Sequence, residues 1–87
     1  MFYVYVIVEE KTDERYIGFS SDLKRRVAEH NSNRGARYTR NGNWKLVYYE
    51  AFSNEADARI RERKLKQDGR SRHQLYSRIA KSLCDHK

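Results

Sequence analysis

Two stretches of this sequence put charge where a helix should be apolar. At about 100° per residue, a helix through Leu23 and Val27 carries Arg26 and His30 beside its apolar stripe, at i+3 and i+7 from Leu23. Arg26 therefore leans inward, while Lys24, Arg25 and Glu29 point elsewhere, as solvated residues do. Further on, Ala58, Glu62 and Leu65 fall at i, i+4 and i+7 and place a carboxylate inside a second stripe. A buried carboxylate is costly unless paired or metal-bound, so an arginine partner and a cation are both open for Glu62. For Arg26 and His30 the plain alternatives are a side-chain stem lying over the core edge and a hydrogen-bonded edge histidine. Tyrosines form the third group. Tyr5 and Tyr16 differ from ordinary strand tyrosines such as Tyr48 and Tyr49 only if they share a face with Arg26 and Glu62. Cys/His metal clusters, phosphate-binding glycine loops and serine-triad spacings are all missing, so hydrolase chemistries that need them have no support.

The elements that must position these groups are legible. Phe2 to Val8 is β-branched and aromatic on both faces, the pattern of a central strand covered on each side. A polar turn from Glu9 to Glu14 leads into Arg15-Tyr16-Ile17-Gly18-Phe19, the spacing of an antiparallel hairpin. Tyr3, Tyr5 and Ile7 share one face of the first strand, and Tyr16 and Gly18 one face of the second. Register decides whether Tyr5 and Tyr16 meet. Ser20-Ser21-Asp22 opens a helix from about Ser21 to Asn31, because a hydroxyl caps free N–H groups and an early acid suits the helix dipole. Ser32 to Asn43 is a loop with Arg34, Arg37 and Arg40, and Trp44 to Phe52 is the third strand. Asn54 caps a second helix that Gly69 is placed to end. Ser71-Arg72-His73-Gln74 matches a capping box, after which Leu75, Ile79 and Leu83 define a third helix.

Composition narrows the partner. The chain has 87 residues, 36% of them charged, with a net charge of +7, a surface that attracts polyanions. One domain over residues 1–87 is expected, with a small core to which seven Tyr, three Phe and one Trp bring apolar area. The single cysteine, Cys84, cannot form an internal disulfide, and a reducing cytoplasm fits. No run is long enough to span a bilayer, and Lys11, Arg15, His73 and His86 read as solvated surface.

Tyr16-Ile17-Gly18, after Tyr3-Val4-Tyr5 and before Ser20-Ser21-Asp22-Leu23-Lys24-Arg25-Arg26, resembles the GIY-YIG nuclease family over Phe2 to about Lys66. The likeness is to small single-domain bacterial proteins predicted to be endonucleases, relatives of the GIY-YIG nuclease domain of the bacterial repair excinuclease and of certain homing endonucleases. Arg34-Gly35-Ala36-Arg37-Tyr38-Thr39-Arg40 is similar to the family's basic loop before the third strand, and Leu46 to Glu50 resembles that strand. The resemblance implies that Tyr5 and Tyr16 position and activate the attacking water, that Arg26 is the catalytic arginine and that His30 lies near the phosphate. Glu62, within Ala58-Arg59-Ile60-Arg61-Glu62, would hold a single metal ion. Two departures bear on water positioning and product release: the first motif keeps only its final tyrosine, and no asparagine follows Asn54.

The expectation is thus an α+β fold with a small three-stranded antiparallel sheet and three helices in the order β-β-α-β-α-α. Its function would be metal-dependent endonucleolytic hydrolysis of nucleic acid, DNA ahead of RNA, with Mg²⁺ or Mn²⁺ as the one cofactor; the excinuclease likeness implies a setting in DNA repair. Tyr5, Tyr16, Arg26, His30 and Glu62 form the expected catalytic set. Arg34, Arg37, Tyr38, Arg40, Lys64 and Lys66 form the expected nucleic-acid contacts. The alternative is a catalytically reduced nucleic-acid-binding module of the same fold.

Overall fold

The computed structural model describes residues 1–32 and 42–84. The β-rich N-terminal run forms β1 (Phe2–Glu9), which pairs antiparallel with β2 (Arg15–Ser20) on one side and β3 (Trp44–Phe52) on the other. The order β2-β1-β3 makes β1 the central strand. That placement explains its unbroken apolar composition, since every residue from Val4 to Val8 is buried.

Strand alternation splits the core in two. Val4, Val6, Val8 and Ile17 face one side, where they pack with Ala58, Leu65, Leu75, Ile79 and Leu83. Tyr5 and Ile7 face the other, with Trp44, Tyr16, Leu23, Val27 and Leu46. Helix α1 (Leu23–His30) covers the Tyr5 side, and α2 (Glu55–Gln67), α3 (Gly69–Arg78) and α4 (Ala80–Cys84) supply the opposite one. In β3 the register shifts beside Val6 and Ile7, which pair with Tyr48 and Leu46. The extra residue, Val47, joins Tyr48 against the aliphatic core, so two consecutive side chains serve one face, as at a bulge.

The sequence places the strands well and the later helix ends less well. Asn54 caps α2 as expected, its side chain accepting from the Ala56 N–H at 2.8 Å. Helix α1 begins at Leu23, with Asp22 as cap accepting from the Arg25 N–H at 3.1 Å. Gly69 does not end α2; it is the first residue of α3. The stop comes from Asp68, whose extended backbone closes α2 and whose carboxylate caps α3 by accepting from Arg70 N–H and the Ser71 hydroxyl. The Ser71 capping box is therefore not used as one, and Ser71 lies inside the helix it was expected to start. The final helical region is two helices, parted at Ile79, so among the described residues four helices accompany the sheet where three were expected.

Candidate active site

Register brings the tyrosines together. Tyr5 lies opposite Gly18 and Ile7 opposite Tyr16, so Tyr5 and Tyr16 are diagonal neighbours on the face that α1 covers. Gly18 makes that possible: a Cβ there would collide with the Tyr5 hydroxyl. A glycine within a strand, facing a tyrosine across the pair, is the signal by which the sequence shows such a close approach.

Helix α1 is fixed at both ends over this face. At its start, the Ser20 hydroxyl accepts from Asp22 N–H at 2.9 Å and donates to Asp22 C=O at 2.8 Å. At its end, the Asn31 side chain donates to Trp44 C=O at 2.9 Å and accepts from Trp44 N–H at 2.6 Å, tying the helix to β3. Leu23 and Val27 pack on the Tyr5 core. The helix then delivers His30 into full burial, with its Nε2 2.6 Å from the Tyr5 hydroxyl. Its ring also meets Tyr16 edge-on, with centroids 5.1 Å apart.

Arg26 completes the cluster. Its charge acts on the Tyr5 phenol, and its Nη1 donates to Glu29 at 3.0 Å. Glu29 is therefore not a freely solvated residue; it shares the partly buried position of Arg26 and braces it at i+3. Burial pushes the Tyr5 phenol up to about 12, against the opposing charge of Arg26. Burial, followed by the Arg26 charge, pushes the His30 imidazole down to about 4. Burial would lower Arg26 too, but its hydrogen bond to Glu29 and the neighbouring Tyr5 hold it above its ordinary value. At neutral pH the cluster therefore consists of a neutral phenol, a neutral imidazole and a guanidinium.

Helix α2 brings Glu62 to the edge of this cluster, close enough for its charge to act weakly on Tyr5. Ala58 and Leu65 are buried as the stripe requires, while the Glu62 side chain keeps 17% of its exposure. Its partners are cations of its own helix, Lys66 Nζ at 3.2 Å and Arg59 at 3.8 Å. The Lys66 ammonium also stands 5.3 Å from the Tyr16 ring centroid, linking Glu62 to the tyrosines. The inter-element arginine pairing belongs to Glu50 instead, which takes Arg61 in a two-pronged ion pair and accepts from the Tyr48 hydroxyl. That clamp pins α2 to β3 one residue before Glu62.

A divalent cation can be tested against these donors. Among the described residues no three His, Cys, Asp or Glu side chains converge, so no closed protein cage exists among them. Glu62 offers one accessible hard carboxylate, which suits Mg²⁺ or Mn²⁺, ions that retain waters and use one or two carboxylates plus substrate phosphate. The residues fit such an ion in kind.

Of the expected site residues, Tyr5, Tyr16, Arg26 and His30 are gathered on one face, and Glu62 at its rim. Lys66 adjoins them, and Lys64 is exposed on α2. Arg34, Arg37, Tyr38 and Arg40 lie outside the described residues. Among the described residues no helix is long and apolar enough to cross a membrane.

Comparison with known proteins agrees with this architecture. A UPF0213 protein of Haloquadratum walsbyi is 40% identical over 74 residues, which cover 83% of each chain. One of Halobacterium salinarum is 42% identical over 72 residues, covering 82% of this chain and 92% of that one. The solution structure of a UPF0213 protein from Bacillus halodurans superposes with a TM-score of 0.55 at 36% identity, covering 88% of this chain and 84% of that one. The profile of the GIY-YIG catalytic domain matches residues 1–77, which span all of the strands and the Tyr5, Tyr16, Arg26, His30 and Glu62 cluster, and the chain belongs to the GIY-YIG family.

Proposed function

We propose that the protein is a metal-dependent endonuclease that hydrolyses phosphodiester bonds, with DNA ahead of RNA as substrate. The observation that supports it most is the convergence of Arg26 on the Tyr5 and His30 pair beside Tyr16, a cationic group set against buried neutral ones in a chain of net charge +7. Burial divides the labour. Tyr5 keeps 1% of its exposure and His30 none, so neither meets a substrate directly; Tyr16 is only half-buried. Tyr16 is then the tyrosine that orients the attacking water.

Tyr5 and His30 act as positioning residues. The Tyr5 hydroxyl and His30 Nε2 share a hydrogen bond that fixes both rings beside Arg26. The phenol stays protonated because its pKa is raised, so it stands beside the guanidinium as a neutral group and takes no proton from water. Arg26, freed from searching rotamers, offsets charge that grows on the phosphate as the new P–O bond forms. Glu62 would hold the ion. What a bound ion would supply is polarisation of the phosphate and stabilisation of the leaving oxygen.

One observation favours the second reading, a binding module without cleavage: Lys66 and Arg59 already balance the Glu62 charge. Incubating plasmid DNA and single-stranded RNA with the pure protein, with and without Mg²⁺ or Mn²⁺, separates the two. The endonuclease cuts only with metal, and Arg26→Ala lowers cutting by about a hundredfold or more with little change in melting. Binding without cutting under every metal condition would establish the module.

A further inference from the structure

Beyond the catalytic face, Arg15, Tyr16, Ile17, Lys66, Arg72 and Tyr76 line a hollow of about 400 Å³ between β2 and helices α2 and α3. Three of its six lining residues are cations, two are aromatic and none is acidic. Among the described residues neither Arg15 nor Arg72 has a carboxylate partner. With nineteen Lys and Arg against twelve Asp and Glu, some cations must go without a carboxylate, and the convergence of Arg15 and Arg72 on one hollow concentrates that excess positive charge there.

Each cation is also held in place. The Arg15 guanidinium lies 4.9 Å from the Tyr76 ring centroid, and Lys66 stands 5.3 Å from that of Tyr16. Arg72 donates to the carbonyls of Leu65 and Lys66 at 3.2 and 3.0 Å, using the negative end of α2 as its anchor. The half-buried Tyr76 hydroxyl feels both guanidiniums, whose charges oppose the rise that burial imposes on it. Aromatic rings beside fixed cations are the parts that bind a nucleotide in a flexible strand, the rings taking the base and the cations the phosphate. The size suits a small ligand, and Tyr16 belongs both to this hollow and to the catalytic cluster.

We infer that this hollow is a nucleotide subsite, taking the phosphate and base of the nucleotide next to the one cut, with Arg15 on the phosphate and Tyr76 beside the base. The subsite rests on the nuclease reading only for the identity of its neighbour, and binding can be measured without cleavage.

The test uses the full chain in EDTA with a labelled single-stranded oligonucleotide, followed by fluorescence anisotropy from roughly 50 to 200 mM salt. Arg15→Glu is expected to weaken binding about tenfold or more and to reduce the log–log salt slope by about 0.7, one phosphate contact on a single strand. Tyr76→Leu is expected to weaken binding by roughly fivefold or more with the slope unchanged, since a ring contributes stacking without charge. In proton NMR, the dinucleotide pTpT should shift the Tyr76 ring resonances, and inorganic phosphate at equal concentration should not.

Equal responses to inorganic phosphate and pTpT would reduce the hollow to an anion site and overturn the nucleotide assignment. An Arg15→Glu protein with wild-type affinity and slope would overturn it outright, as would a wild type that binds no oligonucleotide. Binding that depends on Arg15 and Tyr76 in a protein that never cuts would uphold the subsite while overturning the nuclease reading.

Discussion

The two faces of the sheet are built on opposite terms, although one strand supplies both. From β1, the even residues Val4, Val6 and Val8 enter an aliphatic core completed by Leu65, Leu75, Ile79 and Leu83. The odd residues Tyr5 and Ile7 enter a smaller aromatic core that ends in the Arg26, His30 and Tyr5 cluster. On the first face burial needs no partners, and its stabilisation follows apolar area. On the second every buried polar group must be satisfied by another, so geometry is bound more tightly there than energy. Stability should therefore reside chiefly on the α2 to α4 side and chemistry on the α1 side.

The harshest way to break that division is to cut into the aliphatic face. Leu65 is fully buried in α2, and Leu65→Ala should cost about 2–5 kcal/mol in a thermal or urea melt. At about 4–8 °C per kcal/mol for a domain of this size, the fall in Tm should be large. The Tyr5 and His30 resonances should hold their native positions at temperatures where the variant is still folded. A cost below about 1 kcal/mol would mean that the aromatic face carries the load expected of the other.

A second probe acts on the α1 side alone. His30 falls from 6.5 in the unfolded chain to about 4 in the folded one, through burial first and the Arg26 charge second, with Glu29 opposing them. The unfolded state then binds a proton at a higher pH than the folded state does. The stabilisation is fully present above 6.5 and is lost as pH falls from 6.5 towards about 4. That loss should be on the order of 3 kcal/mol, taken as the difference between wild type and His30→Gln so that carboxylate titrations common to both cancel. Parallel stability curves for the two proteins across that window would show that His30 is protonated without penalty and that the face is wetter than its packing indicates.

How much of this is legible in the sequence follows the same division. The β1 strand, the Asn54 cap and the inward lean of Arg26 can all be read, because alternation, cap chemistry and helical period are local properties. Gly69 misleads because a glycine after a periodic run looks like a stop, whereas the Asp68 carboxylate caps the next helix and starts it directly. Glu29 looks solvated because period alone cannot show that Arg26 needs a brace. The burial of Tyr5 beneath Gly18, against the half-exposure of Tyr16, depends on strand register, which no single strand encodes. The arginine partner weighed for Glu62 exists on its own helix as Arg59, and the arginine contact between helix and strand goes to Glu50.

Glu62 sharpens the comparison most finely, because on the metal-dependent reading its effect on stability should be the smallest and its effect on chemistry among the largest. Its two cations are 43% and 50% exposed, so each pair resembles a surface i,i+3 or i,i+4 contact rather than a buried ion pair. Such contacts contribute about 0–1 kcal/mol. Glu62→Gln preserves size and leaves Lys66 and Arg59 in reach of water, so metal-free stability should change by less than about 1 kcal/mol. Wild type should gain stability as Mg²⁺ or Mn²⁺ rises, by the logarithm of concentration over Kd, and the variant should not. Oligonucleotide binding in EDTA should persist or tighten, because one negative charge has left a basic surface. Thermal melts of both proteins across a metal titration decide the matter. A metal-free drop of about 3–5 kcal/mol with the metal response intact would mark Glu62 as the anchor of a buried ion pair and remove it from the metal site.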